Sequence, residues 1–477
     1  MEQSEALTIL SSGVPVFLTG APGSGKTYVL NRFVEISRQA GKNVAMTAST
    51  GIASTHINGQ TVHSWSGIGI DTVLTPEVLK RIRTRRRRAI RETDILVIDE
   101  VSMLHAWLLD MVDEVCRAVR RVNEPFGGIQ VVLAGDLYQL PPVSRGKYRT
   151  GPAAEDEVFM RQRQRYAAAG KDPEGFITEA LCWDALHPAV CYLTGQYRQD
   201  DSQLLSVLTD IRRAEVSQED CDMLSSRVGV MPPPDRSAVH LFPVNRAADT
   251  LNMSKLAHID GQEHTFIAES GGSAQLVRQL KMNMLAAERL VVKKGAAVMA
   301  LRNEADRRFV NGSLGEVVGF ADKKKGGYPI VEFENGHSAV MAPANWEIAD
   351  GEAVLAVVTQ VPLRLAWGIT IHKSQGMTLD GAVMDLRNTF APGMGYVALS
   401  RVESLGGLYL MGISSRAFYV SEQAVYVDSR LRQESTEASA LLREEGAESF
   451  ARQYARAAAD MASQDRIGSR SGQGELF

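Results

Sequence analysis

A strand, a glycine-rich loop and a helix follow one another near the N-terminus, and this order constrains the fold more than any other feature of the sequence. Residues 14–36 read VPVFLTGAPGSGKTYVLNRFVEI. The apolar run at 14–19 predicts a buried strand, and residues 20–27 have the pattern G-x-x-x-x-G-K-T. An amphipathic helix follows, with one apolar face formed by Val29, Leu30, Phe33 and Ile36. The combination is typical of a phosphate-binding loop in a parallel α/β sheet, and a chance glycine-rich turn rarely has both neighbours.

The loop has the groups that a nucleotide and its metal ion require. Gly23 and Gly25 allow backbone N–H groups to close around phosphates at the positive end of the helix. The Lys26 ammonium can reach the β and γ phosphates, and Thr27 offers a hydroxyl to Mg²⁺. The predicted nucleotide contacts of the loop are Gly20, Ala21, Pro22, Gly23, Ser24, Gly25, Lys26 and Thr27.

A second apolar strand ends in two adjacent carboxylates. In ILVIDE, residues 95–100, Asp99 is placed to hold Mg²⁺ while Glu100 orients and deprotonates an attacking water. Acidic pairs at strand ends also serve as helix caps. The phosphate-binding loop upstream favours the catalytic role here, because phosphoryl transfer needs both parts.

A third strand and two distant arginines complete the predicted site. IQVVLAGD, residues 129–136, runs into LYQLPPV and places Asp136 and Gln139 at the sheet edge where ligands bind. Gln139 is predicted to sense the γ phosphate; a loop amide bonded to backbone is the alternative. Arg198 in LTGQYRQ and Arg401 in YVALSRV are candidates for the cation that stabilises developing charge, although most arginines are surface or salt-bridge residues.

Composition limits the class of protein without selecting one. A length of 477 residues predicts about three domains, and a net charge of -4 excludes a protein that coats nucleic acid by bulk charge. The four cysteines form no C-x-x-C pair, as expected of buried thiols in a reducing compartment. No apolar run is long enough to span a bilayer, and the functional loop begins too early for a removable signal peptide. We therefore expect no membrane contact and a location in the cytoplasm of a bacterial or phage-infected cell.

The ordered blocks of the chain resemble the petite-integration-frequency (Pif) family of superfamily 1B DNA helicases, as a bacterial or phage member. The resemblance covers most of residues 1–420 and rests on GAPGSGKT, TASTGIAS, GQTVHSWSGIG, VIDEVSM, EPFGGIQVVLAGDLYQLPPV, LTGQYRQ, NGSLGEVVGF, ITIHKSQGMTLD and YVALSRV. It implies an α/β fold with two RecA-like parallel-sheet P-loop core domains, with ATP between them and Arg198 and Arg401 as cross-cleft fingers. It also implies 5′-to-3′ movement on single-stranded DNA and a role for Gln3 in binding adenine.

A translocase must hold a strand without reading its sequence, which requires donors to phosphates and apolar surfaces against bases. The predicted DNA contacts of the first core domain are Thr50, Gly51, Thr61, His63 and Trp65, with core packing as the alternative for His63 and Trp65. Pro142 and Asn311, in two of the family blocks, are further predicted contacts. The arginine-rich run KRIRTRRRRAIR at 80–91 is either a solvated helix face or a surface that contacts the DNA backbone near the duplex junction.

Changes in the pattern of predicted secondary structure and turn residues along the chain predict the domain limits. From about residue 293 to 358 short β-like segments with Asn-Gly turns indicate an SH3-like β-barrel insertion. The predicted units are 1–60 with 95–175 for the first core domain, 61–94 for a small inserted wedge domain, 176–292 with 359–430 for the second core domain, 293–358 for the barrel and 431–477 for a helical or disordered tail.

The segment ITIHKSQGMTLD, residues 369–380, gathers a histidine, a lysine, a serine and a glutamine. A nucleophilic Ser374 is the alternative, but the segment has no G-x-S-x-G elbow and no evident carboxylate to orient His372. We predict that it couples DNA to nucleotide. The predicted DNA donors are Thr370, His372, Lys373 and Ser374, and the predicted contacts to the ATP cleft are Gln375 and Gly376.

The sequence thus predicts an ATP-dependent DNA helicase, and the direction of its movement rests on the family resemblance alone. A RecD-like translocase that displaces proteins and a nucleotide-gated DNA-binding protein are the alternatives. The expected partners are single-stranded and 5′-tailed duplex DNA, and the chain is expected to be monomeric. Gln473 to Phe477, QGELF, resembles short peptides that bind bacterial sliding clamps, although a random polar tail would look similar.

Overall fold

The computed structural model describes residues 1–57, 59–69, 71–142, 153–196, 201–233, 238–284, 286–304, 308–309, 311–350 and 353–470. The strands are β1 Val16–Gly20, β2 Val44–Ala48, β3 Gln60–Thr61, β4 Ile95–Asp99, β5 Gln130–Ala134, β6 Ala189–Leu193, β7 Val239–Phe242, β8 His264–Ile267, β9 Glu269–Gly272, β10 Arg289–Val292, β11 Ala297–Ala300, β12 Leu314–Phe320, β13 Pro329–Phe333, β14 Ser338–Val340, β15 Ala344–Asp350, β16 Ala353–Gln360, β17 Leu363–Leu365, β18 Gly368–Thr370, β19 Ala382–Leu386 and β20 Leu408–Ile413. The α-helices are α1 Gln3–Ser11, α2 Lys26–Gln39, α3 Gly51–His56, α4 Val62–Ser66, α5 Pro76–Arg85, α6 Arg87–Glu92, α7 Ala106–Arg120, α8 Ala153–Ala168, α9 Leu181–Leu186, α10 Ser202–Arg213, α11 Gln218–Ser225, α12 Asn245–Ala257, α13 Ala274–Asn283, α14 Met394–Leu399 and α15 Glu422–Arg470.

The first core domain is built on a six-stranded sheet in the order β3-β2-β4-β5-β1-β6, with every pair parallel. Strands β1 and β4 are almost entirely buried, which agrees with their continuous apolar sequence. The predicted boundary at residue 176 is wrong, because β6 pairs with β1 along its whole length and extends this domain to residue 193. The phosphate-binding loop and the acidic pair both lie at the carboxyl edge of this sheet, where parallel α/β sheets bind ligands.

The second core domain has a four-stranded parallel sheet in the order β18-β7-β19-β20. Segment 369–380 begins inside β18 and continues into a short 3₁₀ turn, Ile371–Ser374. Helix α14, which precedes Arg401, follows β19 in the chain. The two parallel sheets therefore agree with the predicted pair of core domains.

An antiparallel region separates β7 from β18 in the chain. Five of its strands form one sheet in the order β14-β13-β12-β11-β17, and this sheet has its own apolar core that includes Val298, Val317, Val331 and Leu363. The predicted limits of 293–358 are too narrow, because β17 pairs with β11 and β16 pairs with β9. Residues 269–272 and 363–365 thus belong to the antiparallel region.

The segment predicted as a wedge domain packs directly on the first core domain. Thr61 ends β3, which pairs with β2, so the predicted boundary at residue 60 divides a strand. Ile82 and Ile90, on α5 and α6, are buried in the same apolar cluster as Leu96 of β4. The opposite faces of both helices carry the exposed arginines. This segment is therefore a small layer on the first core domain, with which it shares its apolar core.

The predicted C-terminal tail is helical to residue 470, as two segments of α15 that meet at a kink at Gly446, and it packs along the first core domain. Its Ala438, Leu442 and Phe450 are buried in one cluster with Ile9 of α1 and Val16 of β1. Two polar contacts fix the same face: Arg443 Nε and Ser439 Oγ donate to Glu5 at 2.5 and 2.9 Å. A few apolar residues are enough to hold this helix in place, because only one of its faces covers the edge of the sheet. Among the helices of the described residues, none is long and apolar enough to cross a membrane.

Candidate ATP cleft and DNA groove

The phosphate-binding loop has the backbone geometry that its glycines predict. Gly25 caps α2 with a φ of 87°, a left-handed conformation that favours glycine. A Cβ at Gly20 would lie 2.8 Å from the Leu193 carbonyl oxygen of β6, so no side chain fits there. Lys26 Nζ donates to the carbonyl oxygens of Gly20 and Ala21 at 2.7 and 3.0 Å. Burial lowers the pKa of Lys26, although the charges of nearby carboxylates, Asp136 first among them, oppose the shift.

Two further observations fit a phosphate in this loop. The Ser24 hydroxyl is buried and has no hydrogen-bond partner within the part of the chain that the structure describes. A buried orphan hydroxyl in a glycine-rich loop is suited to a ligand oxygen. Gln3 Nε2 donates to the Ser24 carbonyl oxygen at 3.3 Å, which holds α1 against the loop. Gln3 is thus beside the nucleotide loop, as its predicted role requires.

The acidic pair lies opposite the loop in a strained backbone position. Glu100 has a φ of 52°, which is uncommon for a residue with a side chain. The Glu100 N–H donates to Asp99 Oδ1 at 2.8 Å. Burial raises the pKa of Asp99. Burial and the charge of Asp99 raise the pKa of Glu100 to about 7. Glu100 therefore has the pKa expected of a general base that works near neutral pH.

Gln375 joins the two core domains at this carboxylate. Its Nε2 donates to Glu100 Oε2 at 2.9 Å and to Gln139 Oε1 at 3.0 Å. The Gln139 side-chain oxygen thus accepts a hydrogen bond from the other core domain. In the alternative, this oxygen would bond to backbone of its own loop, and within the described part of that loop it does not. One residue of segment 369–380 contacts both the predicted base and the predicted phosphate sensor.

A cavity of about 220 Å³ lies between these groups. Its lining residues are Thr27, Thr50, Ala53, Ile57, Asp99, Glu100, Met103, His372, Gln375 and Gly376. The Thr27 hydroxyl and the Asp99 carboxylate are hard oxygen ligands of the kind Mg²⁺ prefers, with substrate phosphates completing its shell. The described residues contain no cluster of three His, Cys, Asp or Glu side chains that could hold a metal by themselves. The donor set therefore fits a metal ion that arrives with a nucleotide.

The two predicted arginine fingers have different outcomes. Arg401 is buried at the second-domain side of the cleft, and its guanidinium donates to the carbonyl oxygens of Ser374 and Met377 at 3.3 and 3.1 Å. Its charge is close enough to lower the pKa of Glu100, against the larger effect of burial. A finger role for Arg401 stays a prediction. Arg198 lies outside the described residues.

Only half of the predicted DNA donors in segment 369–380 are accessible. Thr370 and Ser374 are buried, and Ser374 Oγ donates to the Ile371 carbonyl oxygen at 2.8 Å. Their predicted roles as direct phosphate contacts are corrected: Ser374 closes the 3₁₀ turn that presents its neighbours. His372 and Lys373 are half-buried, and burial lowers the pKa of Lys373 to about 8.

An aromatic residue beside this segment was not predicted. The ring of Phe390 lies 6.5 Å from the imidazole of His372, in a stacked orientation, and Phe390 is 62% exposed. A single exposed phenylalanine in a loop carries little signal in the sequence, because only the fold brings it to His372. The pair forms an aromatic surface of the kind against which bases stack.

The predicted DNA contacts of the first core domain also include both accessible and buried residues. Thr50 lines the cavity and Gly51 is exposed at the start of α3. The Thr61 hydroxyl accepts a hydrogen bond from the Ser64 N–H at 3.2 Å and caps α4, while His63 is half-buried. The prediction for Trp65 is corrected, because this side chain is 2% exposed within the apolar core of the domain. A buried indole cannot stack on a base.

The two remaining predicted contacts lie in different environments. Pro142 is half-buried at the end of the loop that carries Gln139. Asn311 is buried, and its N–H donates to Asn303 Oδ1 at 2.7 Å. The structure therefore places Asn311 inside a turn, and its predicted role as an open surface contact is corrected.

One buried charged residue at the interface between the domains, Arg212, was not identified from the sequence. Arg212, on α10, is 6% exposed and forms a 2.7 Å ion pair with Asp136. A signal exists in the sequence, since Arg212 falls on the same helix face as the apolar Leu204 and Leu208. An arginine on an apolar stripe indicates a buried partner. The partner itself could not be identified from the sequence.

Comparison with known proteins agrees with this architecture. Residues 2–155 match the family model of the PIF1-like helicases. The chain is 36% identical to the ATP-dependent DNA helicase Pif1 of Psychrobacter sp., over 92% of this chain and 72% of that protein. It is 33% identical to human ATP-dependent DNA helicase PIF1, over 90% of this chain and 63% of the relative, so the chain spans less than two thirds of the human protein.

Solved structures show the same similarity. The Pif1 helicase of Candida albicans superposes with a TM-score of 0.77 at 31% identity, over 90% of this chain and 98% of that one. A Bacteroides Pif1 helicase in complex with ADP-AlF3 and single-stranded DNA superposes with a TM-score of 0.67 at 27% identity, over 93% and 97% of the two chains. The predicted family and the two-core fold class are thereby confirmed. The chain belongs to the Pif1 family of helicases.

Proposed function

We propose that this chain is an ATP-dependent DNA helicase that moves 5′-to-3′ on single-stranded DNA and unwinds duplex or structured DNA in replication, recombination or repair. The observation that carries the proposal is the position of segment 369–380. Its Gln375 bonds the predicted base Glu100 and the predicted sensor Gln139, while its His372 and Lys373 stay accessible to a strand. The residue that contacts the nucleotide site, Gln375, thus directly follows the short turn that carries the groups proposed to hold DNA.

The nucleotide is proposed to be ATP with Mg²⁺. The loop residues 20–27 would hold its phosphates, Thr27 and Asp99 would hold the metal, and Gln3 would contact the adenine. The metal supplies charge neutralisation for phosphoryl transfer. Glu100 would take a proton from the attacking water, and Lys26 would stabilise the transferred phosphate. The partners named for the similar helicase, ADP-AlF3 and single-stranded DNA, support both choices of ligand.

The DNA groove is proposed to follow the accessible members of the predicted set. Thr50, Gly51, His372 and Lys373 would contact the strand, with the Phe390 ring beside His372 as an apolar surface. Backbone contacts of this kind hold a strand without reading its sequence, which translocation requires. The antiparallel sheet of β11 to β14 and β17 is proposed to be the SH3-like module that helps to enclose the strand.

The exposed arginines of α5 and α6 are proposed to contact the DNA backbone near the duplex junction. Among the residues of this surface, Arg83 and Arg87 are exposed, whereas Arg81 and Arg88 form ion pairs with Asp71 and Glu92. A solvated helix face would show the same exposure, so the salt dependence of binding must separate the two possibilities.

Strand displacement on tailed duplexes tests the proposal. We expect ATP-dependent unwinding of a duplex with a 5′ single-stranded tail and none of a duplex with a 3′ tail. The Lys26→Ala and Glu100→Gln chains should fail on both. Unwinding from a 3′ tail alone, or from neither tail, would contradict the proposed function.

The same experiment, with ATP hydrolysis measured in parallel, tests two alternatives. A RecD-like translocase would hydrolyse ATP with DNA stimulation and displace a bound protein without separating strands. A nucleotide-gated binding protein would hydrolyse ATP weakly, with no stimulation by single-stranded DNA, and its Lys26→Ala variant would still bind DNA fully.

Three further expectations belong to the proposal. The chain is proposed to act as a monomer in the cytoplasm of a bacterial or phage-infected cell, and sedimentation on and off DNA checks the first part. Gln473 to Phe477 is proposed to bind a sliding clamp, and this peptide lies outside the described residues. Deleting residues 473–477 should abolish clamp binding and leave DNA-stimulated ATP hydrolysis intact. Undiminished clamp binding would refute the peptide's role.

A further inference from the structure

A buried ionic cluster lies between the two core domains. Its members are not among the residues assigned to ATP and DNA, although the charges of Asp136 and Arg212 are close enough to act on the pKa of Lys26. At its centre is the Arg212 guanidinium of α10, which donates to Asp136 Oδ1 at 2.7 Å. It also donates to the hydroxyls of Tyr396 and Tyr192 at 2.9 and 2.7 Å. Asp136 and Tyr192 belong to the first core domain, and Tyr396 is on α14 of the second. One side chain therefore bonds both domains.

Aromatic rings enclose the same guanidinium. Its central carbon lies 4.2 Å from the ring centroid of Tyr138, and 5.8 and 5.9 Å from those of Tyr192 and Tyr396. Asp136 is completely buried and Arg212 nearly so. Removing one partner of a buried ion pair leaves an uncompensated charge, which is strongly unfavourable. Separation of the domains at Arg212 would break its ion pair with Asp136 and its hydrogen bond to Tyr192 together.

Contacts at the nucleotide end of the interface are different in kind. There the Gln375 amide, which is neutral, bonds Glu100 and Gln139 beside a cavity of about 220 Å³. Water or a nucleotide can replace these hydrogen bonds as the cleft opens. The interface thus has one end that can open easily and one that cannot.

Two other features indicate that the end of the interface at Arg212 is the one that stays closed. The chain passes between the domains just after Tyr192 in β6 and returns in α15, where Asp428 lies 3.9 Å from Arg212. The backbones also meet closely here, since a Cβ on Gly393 would lie 2.5 Å from the Tyr138 carbonyl oxygen. Crossing points of the chain are where a hinge between domains is expected.

We propose that Arg212 is the pivot about which the two core domains rotate as the ATP cleft opens and closes. It is a positioning residue: it keeps Asp136, three residues before Gln139, in register with α14, which leads to Arg401. Rotation about this point converts a small change at the nucleotide into a displacement of His372 and Lys373 along the strand. Without the pivot the two domains separate or slide, and hydrolysis no longer produces directed movement.

Distances between spin labels test the pivot. Labels at exposed positions of the two domains, Gln39→Cys and Ser225→Cys in a Cys221→Ser background, report the domain angle. We expect one narrow distance distribution without nucleotide and another with ADP-aluminium fluoride and single-stranded oligothymidine. Arg212→Met should broaden both. Wild-type distributions in the Arg212→Met chain would overturn the proposal.

A matched control separates the pivot from a general loss of stability. Arg117, whose side chain is 27% exposed, pairs with the buried Asp113 at 2.8 Å inside the first core domain, so Arg117→Met removes a partly buried ion pair without touching the interface. This control should keep both distance distributions. Broadening in the control equal to that in Arg212→Met would also overturn the proposal, because it would assign the effect to stability.

Coupling gives a second readout that rests on the proposed helicase function. The number of base pairs unwound per ATP hydrolysed should fall about ten-fold or more in Arg212→Met, and less in Arg212→Lys, which keeps the charge. If Arg212→Met does not fold, Tyr396→Phe keeps the ion pair and removes the hydroxyl of the second domain, and it should still lower this ratio. An unchanged ratio in Tyr396→Phe would overturn the coupling. A wild-type chain that unwinds nothing would refute the proposed function, while the distance measurement would still decide the pivot.

Discussion

The side-chain amide of Gln375, in the second core domain, donates a 2.9 Å hydrogen bond to the Glu100 carboxylate in the first, across 275 residues of sequence. This contact orients the proposed base from the opposite side of the cleft. It also favours the charged form of Glu100, against burial and the charge of Asp99, which together raise its pKa to about 7. Closure of the domains and activation of the base are therefore linked through one hydrogen bond.

Replacing Gln375 by alanine should change the pH dependence of ATP hydrolysis. A base with a raised pKa is protonated and inactive at low pH, so kcat should rise through a midpoint near pH 7 in the native chain. The substitution removes a hydrogen bond that lowers the pKa of Glu100, which moves the midpoint to higher pH. Profiles of kcat against pH measure the shift. Gln130→Ala, which removes an amide bonded to the Leu10 and Val14 carbonyl oxygens, is the control. Coincident profiles for Gln375→Ala and the native chain would contradict the link.

Trp65 should contribute to stability and not to binding DNA. Because it is buried in the first core domain, Trp65→Ala should lower the free energy of unfolding by about 3–5 kcal/mol. Trp65→Phe should lower it less, since more of the apolar volume is kept. Denaturant titration measures both. A Trp65→Ala chain with native stability and weakened affinity for single-stranded DNA would restore the base-stacking role.

The arginine surface of α5 and α6 should contribute through salt-dependent contacts. The double variant Arg83→Glu, Arg87→Glu should bind single-stranded DNA or forks more weakly. It should also reduce the slope of log Kd against log salt by about 0.7–0.9 for each phosphate that the protein no longer neutralises. Arg38→Glu with Lys42→Glu, at two exposed positions at and just after the end of α2, is the charge-matched control. Equal slopes for the double variant and the control would identify the surface as a solvated helix face.

Helix α15 should stabilise the first core domain. Phe450 is fully buried against it, so Phe450→Ala should lower the free energy of unfolding by about 3–5 kcal/mol. Arg443→Ala should lower it by about 1 kcal/mol or less, because the ion pair with Glu5 is mostly exposed on the arginine side. Thermal unfolding of both variants and of a chain ending at residue 430 provides the test. A native Tm in the shortened chain would show that the helix contributes nothing to the stability of this domain.

Features carried by short stretches of chain could be predicted from the sequence. The phosphate-binding loop needs only a strand, glycines at positive φ and a helix start, and all of these are local. Asp99 ends a buried strand, and Glu100 and Gln139 follow buried strands. The carboxyl ends of parallel strands meet at one edge whatever the rest of the fold does. The second core domain was predicted from the family resemblance, because the local patterns alone did not indicate it.

Burial and contact between distant segments were decided by the tertiary structure. Trp65 and Ser374 have the chemistry of DNA contacts, yet both are buried, and no local pattern distinguishes an indole in a core from one in a groove. Arg212 has its partner in Asp136 only because α10 packs against the interface between the domains. The sequence by itself determined the nucleotide loop and its acidic pair, because backbone geometry and strand order fix them. Only the fold decided which polar groups face the strand, which face each other and where the domains pivot, because these depend on side chains brought together from hundreds of residues apart.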